Sequence, residues 1–163
     1  MIRHVTTNDA GKICDIYNHY IINTTVTFEE EPVTEKEIKS RIEQISGKFP
    51  WLVYEEENSI EGYAYATEWR SRTAYRYSAE TTVYLKPQST HKGIGTALYK
   101  SLIQEMKALQ VHSLIGGIAL PNNSSIALHE KLNFKKVAHF TEVGFKLNKW
   151  VDVTYWQLLL NIG

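Results

Sequence analysis

Cysteine occurs once in the 163 residues, at Cys14, so the chain can form neither an internal disulfide nor a thiolate metal cluster. That suits a reducing compartment. Set among apolar helical positions, Cys14 reads as a buried structural thiol rather than a nucleophile. An excess of one charge is also lacking: Lys plus Arg and Asp plus Glu number 18 each. No global field draws in nucleic acid, an anionic membrane or an acidic partner, so any anion site has to be local. No apolar run approaches the ~18 residues of a membrane span, and Met1 to Thr6 holds no apolar signal core. The expectation is a cytoplasmic protein that contacts no membrane. His4, His19, His112 and His139 lack paired metal-ligand spacing, and the aromatics, 12% of the chain, are not interleaved with a basic stripe. A metal centre and a nucleic-acid surface are both expected to be absent.

What is present is a chain of one-domain size, 1–163, with 43% hydrophobic residues, no long Pro/Gly/Ser linker and no internal repeat. Ile2 to Thr6 reads as a strand, and Thr7-Asn8-Asp9 offers caps for a helix through Ile13, Ile16, Tyr17 and Tyr20. Thr34 and Glu37 form a capping-box pattern for a second helix carrying Ile38, Ile42 and Ile45, ended by Gly47. Trp51 to Glu55, Ile60 to Glu68 and Tyr77 to Leu85 are rich in aromatic and β-branched residues, as an antiparallel meander would be. A helix over Thr96 to Leu109, a strand from Ser113 to Ala119, a helix opened by Pro121-Asn122-Asn123-Ser124, and strands at about Lys135 to Thr141 and Asp152 to Leu160 complete the order. The order β-α-α-β-β-β-α-β-α-β-β predicts an α+β domain, a mixed sheet with helices on its faces.

Val83 to Leu98 is a strand leading through His91-Lys92-Gly93-Ile94-Gly95-Thr96 into a helix. Two glycines there let backbone N–H groups converge on phosphate oxygens, and the helix N-terminus adds partial positive charge. His91 and Lys92 can add electrostatic support. A bare G-x-G also serves to ease a tight turn. It is neither a P-loop nor the three-glycine dinucleotide fingerprint.

Strand, x-x-G-x-G, amphipathic helix, strand, then Asn122-x-x-Ser125-x-x-Leu128-His129-Glu130-Lys131-Leu132-Asn133-Phe134 resembles the two core motifs of the GNAT acetyltransferases. The likeness narrows to the phosphinothricin acetyltransferase group at Ile16 to Tyr20, Pro50 to Val53, Trp69 to Tyr75, Ala79 to Tyr84, Gly144 to Lys146 and Trp150 to Gln157, over nearly the whole chain. The resemblance implies acetyl-CoA as cosubstrate, its pyrophosphate on the amides of about His91 to Thr96. It implies Asn122 and Ser125 toward the pantetheine arm and backbone N–H groups of Val83 to Leu85 for developing negative charge. It also implies acetylation of the α-amine of glutamate analogues or of methionine sulfoximine or sulfone, by a homodimer. Thr90 stands where family members usually carry Gln or Arg, which leaves the amide cradle intact.

An α-amine, with a pKa of about 8, attacks a thioester only in its minor neutral form at pH 7. Glu80, early in the strand leading to the loop, suits the general base, and the resemblance implies that role. Its other reading is a solvated carboxylate paired to Arg70, Arg72 or Arg76. His129 falls where the group carries an auxiliary acid or base; otherwise it is a surface or satisfied core histidine. Arg70 and Arg72 suit the substrate's oxyanions, with Phe28, Trp69 and Tyr75 as walls, or else as core or dimer packing. Tyr99, one turn into the loop helix, is a minor candidate near the sulfur. The rival functions are a GNAT enzyme acting on a peptide N-terminus or polyamine, a coenzyme A binder without transfer, and a purely structural interaction protein.

Overall fold

A computed structural model describes residues 1–160. The chain opens with β1 (Ile2–His4), a short 3-10 turn at Thr7–Asp9, and α1 (Ala10–Asn23). Arg3 holds the start of α1 by donating twice to the buried Asp9 carboxylate at 2.9 Å, and Asp9 in turn accepts from the Thr6 amide at 2.8 Å. α2 (Glu35–Ser46) carries the expected capping box. The Glu37 amide donates to Thr34 Oγ1 at 3.2 Å, the Thr34 amide donates to Glu37 Oε2 at 3.1 Å, and Gly47 is the C-cap. β2 (Trp51–Glu56) and β3 (Ser59–Glu68) join through Glu57-Asn58, both at positive φ, a primed hairpin turn. β4 (Ser78–Leu85), α3 (Ile94–Ala108), β5 (Ser113–Ala119), α4 (Asn123–Lys131), β6 (Lys135–Lys146) and β7 (Lys149–Leu159) follow, in the predicted order.

The sheet order is β1-β2-β3-β4-β5-β7-β6, antiparallel except for β4 beside β5. Alternation along the strands separates two cores. On one face Leu52, Ala64, Ala79, Leu114 and Trp156 pack under Leu98, Leu102 and Met106 of α3. On the other, Trp51, Val53, Ile60 and Tyr63 pack under Ile13, Tyr17 and Ile21 of α1 and Ile38 and Ile42 of α2. Cys14 belongs to this second core, its thiol buried and donating to the Val33 carbonyl at 3.1 Å. No helix among the described residues is long and apolar enough to cross a membrane.

Two boundaries depart from expectation. α3 begins at Ile94 rather than Thr96, because Gly93 takes the left-handed N-cap conformation (φ +81°) and Gly95 joins the first turn. β6 and β7 extend into a long hairpin turning at Leu147-Asn148, where the sequence reading ends one strand at Thr141 and opens the next at Asp152. Gly144 lies inside β6. The Phe28 ring occupies the space a side chain would need there.

Candidate active site

β4 and β5 pair over only three positions, Ser78 to Ser113, Ala79 to Leu114 and Glu80 to Ile115, although both strands continue. β4 stays in register with β3 as far as Leu85. From Thr81 onward its other edge is therefore open, and backbone groups of Val83 to Leu85 line the opening rather than a ladder. A cleft of about 1250 Å³ runs through this gap and reaches both faces of the sheet.

On the face of α3 and α4, the cleft is lined by His91, Gly93, Gly95 and Thr96, by Asn122 and Ser125, and by Tyr99 and His129. Gly93 has no side-chain cap, and a Cβ there would meet nothing within 4 Å. One at Gly95 would meet only Leu128 and Leu85, at 3.6 and 3.7 Å. An uncapped, sterically open helix N-terminus is the cradle a pyrophosphate requires, so these residues fit coenzyme A. Asn122 caps α4, its Oδ1 accepting from the Ser125 amide at 3.2 Å. Lys92 and Ile94 do not line the cleft. Lys92 points into solvent, and the Ile94 side chain packs into the core beneath α3.

His129 is 3% exposed. Its Nδ1 lies 2.7 Å from the Ser125 carbonyl, which can only accept, so Nδ1 carries the proton and Nε2 the lone pair. Burial pushes its pKa down, opposed by that carbonyl, and the ring is neutral near pH 7. Nε2 faces Gly116 of β5 and the Tyr99 hydroxyl at 3.5 Å. The ring meets Tyr99 and Phe134 edge-on. Burial also pushes the Tyr99 pKa up, so its O–H keeps its proton.

On the face of α1 and α2, Glu80 projects into the cleft with Thr82 beside it, under Phe28, Trp69, Arg70, Phe140, Val143 and Tyr155. Burial raises the Glu80 pKa, while the Arg70 charge opposes that rise. None of the ion pairs among the described residues includes Glu80, so the alternative of a paired surface carboxylate does not hold. Arg70 lies over the Trp69 ring at 4.8 Å. Arg72 and Tyr75 are not at the cleft. They sit in the exposed β3–β4 connection, at a 3-10 turn over Thr73–Tyr75.

A family model described as an acetyltransferase (GNAT) domain matches residues 2–155. The chain belongs to the GNAT acetyltransferase family. It is 39% identical to the phosphinothricin N-acetyltransferase of Streptomyces viridochromogenes, over 96% of this chain and 85% of that protein. It is 35% identical to the L-methionine sulfoximine/L-methionine sulfone acetyltransferase of Salmonella typhimurium, over 98% of this chain and 94% of that one. The crystal structure of a GNAT superfamily phosphinothricin acetyltransferase from Sinorhizobium meliloti in complex with AcCoA superposes with a TM-score of 0.95. That protein is 36% identical, with 98% of this chain and 88% of that one covered.

Sequence reasoning missed several residues of this GNAT cleft. Phe140, Val143 and Tyr155 reach it from β6 and β7, and Tyr20 of α1 lines it while donating to the Leu85 carbonyl. Period-two alternation in Val151, Val153, Tyr155 and Gln157 was the available signal, since it places Tyr155 opposite the core-facing Trp156.

Proposed function

We propose that this acetyltransferase moves the acetyl group of acetyl-CoA to the α-amine of a small amino acid or analogue, of the phosphinothricin, methionine sulfone or methionine sulfoximine type. The observation that carries the reading is a half-buried carboxylate with a raised pKa, Glu80, on one side of the β4–β5 opening, with an uncapped helix N-terminus on the other. Relatives spanning nearly the whole chain and named for those substrates support it.

Acetyl-CoA supplies an activated acetyl group as its thioester. The backbone amides at the start of α3 hold pyrophosphate, with His91 beside them, and Asn122 and Ser125 flank the arm leading inward. Glu80 accepts a proton from the acceptor ammonium, which leaves the amine lone pair free to attack. Open-edge backbone groups of Val83 to Leu85 are placed to donate to developing negative charge. His129, neutral, is not an imidazolium acid; its Nε2 lies 3.5 Å from the Tyr99 hydroxyl, which would supply the proton to the thiolate of coenzyme A as it leaves. Arg70 takes an oxyanion of the acceptor, the α-carboxylate or a side-chain oxygen, between Phe28 and Tyr155. Among the described residues Glu80 is the sole Asp or Glu lining the cleft, which disfavours a polyamine, whose several ammonium groups call for several carboxylates.

The test is thiol release from acetyl-CoA with phosphinothricin, methionine sulfone, methionine sulfoximine, glutamate, a peptide and spermidine in parallel. Release with the sulfone or phosphinothricin but not with the peptide or spermidine is expected. Preference for the peptide or the polyamine overturns the acceptor assignment.

The same reading makes the protein a cytoplasmic homodimer. Phe145, Leu147 and Trp150 stand exposed on the β6–β7 hairpin, Phe145 packed on Trp150, an apolar patch that calls for a cover. A second copy of the chain covers it. Light scattering is expected to give twice the chain mass for the wild type and the single mass for Trp150→Glu; a monomeric wild type sinks the dimer.

A further inference from the structure

Lys146, at the end of β6, is 3% exposed, and its ammonium donates to the Thr27 carbonyl at 2.8 Å. Burial pushes its pKa down, while Glu30 and Glu29 oppose that shift. A buried ammonium costs desolvation that a methionine of similar length would not, so packing alone does not explain a lysine here. Two residues earlier on the same side of β6 is Gly144, where an ideal Cβ would lie 2.3 Å from the Phe28 ring. Phe28 follows Thr27 directly and walls the acceptor side of the cleft.

The other flank of Phe28 is fixed as well. Arg41 grips Glu29 with two hydrogen bonds, at 2.6 and 2.9 Å, and the Tyr17 hydroxyl bonds both Glu29 and, at 2.8 Å, Thr27 Oγ1. One side of the aromatic wall is therefore tied to the helical layer, and the other to the β6–β7 hairpin.

We propose that Lys146 and Gly144 are positioning residues that set which amines the enzyme accepts. Lys146 fixes the Thr27 backbone, and Gly144 provides the seat into which the Phe28 ring settles. Ring depth in that seat determines how large an acceptor side chain fits before Glu80. Neither residue lines the cleft, so both act through Phe28. The inference rests on the reading of Phe28 as the acceptor wall.

Hydrogen exchange and steady-state kinetics on the intact protein test it together. Lys146→Met is expected to speed exchange of the Thr27, Phe28 and Glu29 amides. Gly144→Ala, which unseats the ring, is expected to raise KM for methionine sulfone about tenfold with KM for acetyl-CoA unchanged. In a Phe28→Ala background Gly144→Ala is expected to lose its effect, as coupled neighbours require. Unchanged exchange in Lys146→Met overturns the clamp. Parallel rises in both KM values, or an undiminished Gly144→Ala effect without the Phe28 ring, overturn the positioning role. A wild-type protein that acetylates no amino acid overturns the acceptor reading itself, and exchange then decides the clamp separately.

Discussion

Glu80→Gln lowers turnover with an amino-acid acceptor at pH 7 by about 10²- to 10⁴-fold and leaves coenzyme A affinity as in the wild type. The amide keeps the size of the carboxylate and removes its ability to take a proton. Because burial raises the Glu80 pKa, the acidic limb of the wild-type rate profile lies above the ordinary glutamate value, and rate climbs as pH rises through it. The variant lacks that limb. Its rate follows deprotonation of the acceptor itself, so the deficit narrows above about pH 8, where most of the α-amine is already neutral. Stability moves the opposite way. A carboxyl with a raised folded-state pKa favours the fold while protonated, and that contribution is lost as pH rises through the folded pKa. Above that pKa the ionised Glu80 weighs against folding, and there Glu80→Gln is expected to melt higher than the wild type. Turnover equal to wild type across the pH range would remove Glu80 from the base role.

Gly116→Ala is expected to cost about 1–3 kcal/mol of stability by overpacking, and turnover about 10²-fold by displacing His129. A Cβ at Gly116 would sit 2.5 Å from His129 Nε2. The ring cannot retreat freely. Its Nδ1–H is committed to the Ser125 carbonyl at 2.7 Å, and Tyr99 and Phe134 flank it edge-on. α4 must shift, or the hydrogen bond must break. In a His129→Ala background the same substitution has room, and most of its melting penalty should disappear. Thermal melting of the four proteins checks the first point, and steady-state rates check the second. A Gly116→Ala protein that melts and turns over as wild type would mean that His129 does not rest against β5.

Local chemistry made much of this architecture readable. The Thr34 and Glu37 pair announced α2, and β5 kept both predicted ends because apolar residues run unbroken between a helix and a proline turn. The β4–loop–α3 unit was legible from its glycines, although Gly93 starts the helix earlier than apolar spacing suggested. Long-range facts were not legible. Nothing in residues 78–85 says that pairing to β5 stops after Glu80, since register between distant strands depends on both partners and on what packs beside them. The strand predicted to end near Thr141 runs on through Gly144 for the same reason: Phe28, which takes the place of the Gly144 side chain, is over a hundred residues away. Arg72 and Tyr75 suit the site by residue type, as a guanidinium and an aromatic wall; that the 3-10 turn over Thr73–Tyr75 leaves both off the cleft is not legible from their neighbours.

The gap between β4 and β5 makes the sheet a partition with one window. Two molecules can meet there while occupying separate rooms, so neither has to leave before the other arrives, and no acyl group need be parked on the protein in between. The rooms also have different builders. One is furnished by α3 and α4, the other by the β6–β7 hairpin and the segment after α1. Substitutions that refit the second room for another amine leave the first undisturbed, which lets one frame be retuned to a new acceptor without relearning its donor.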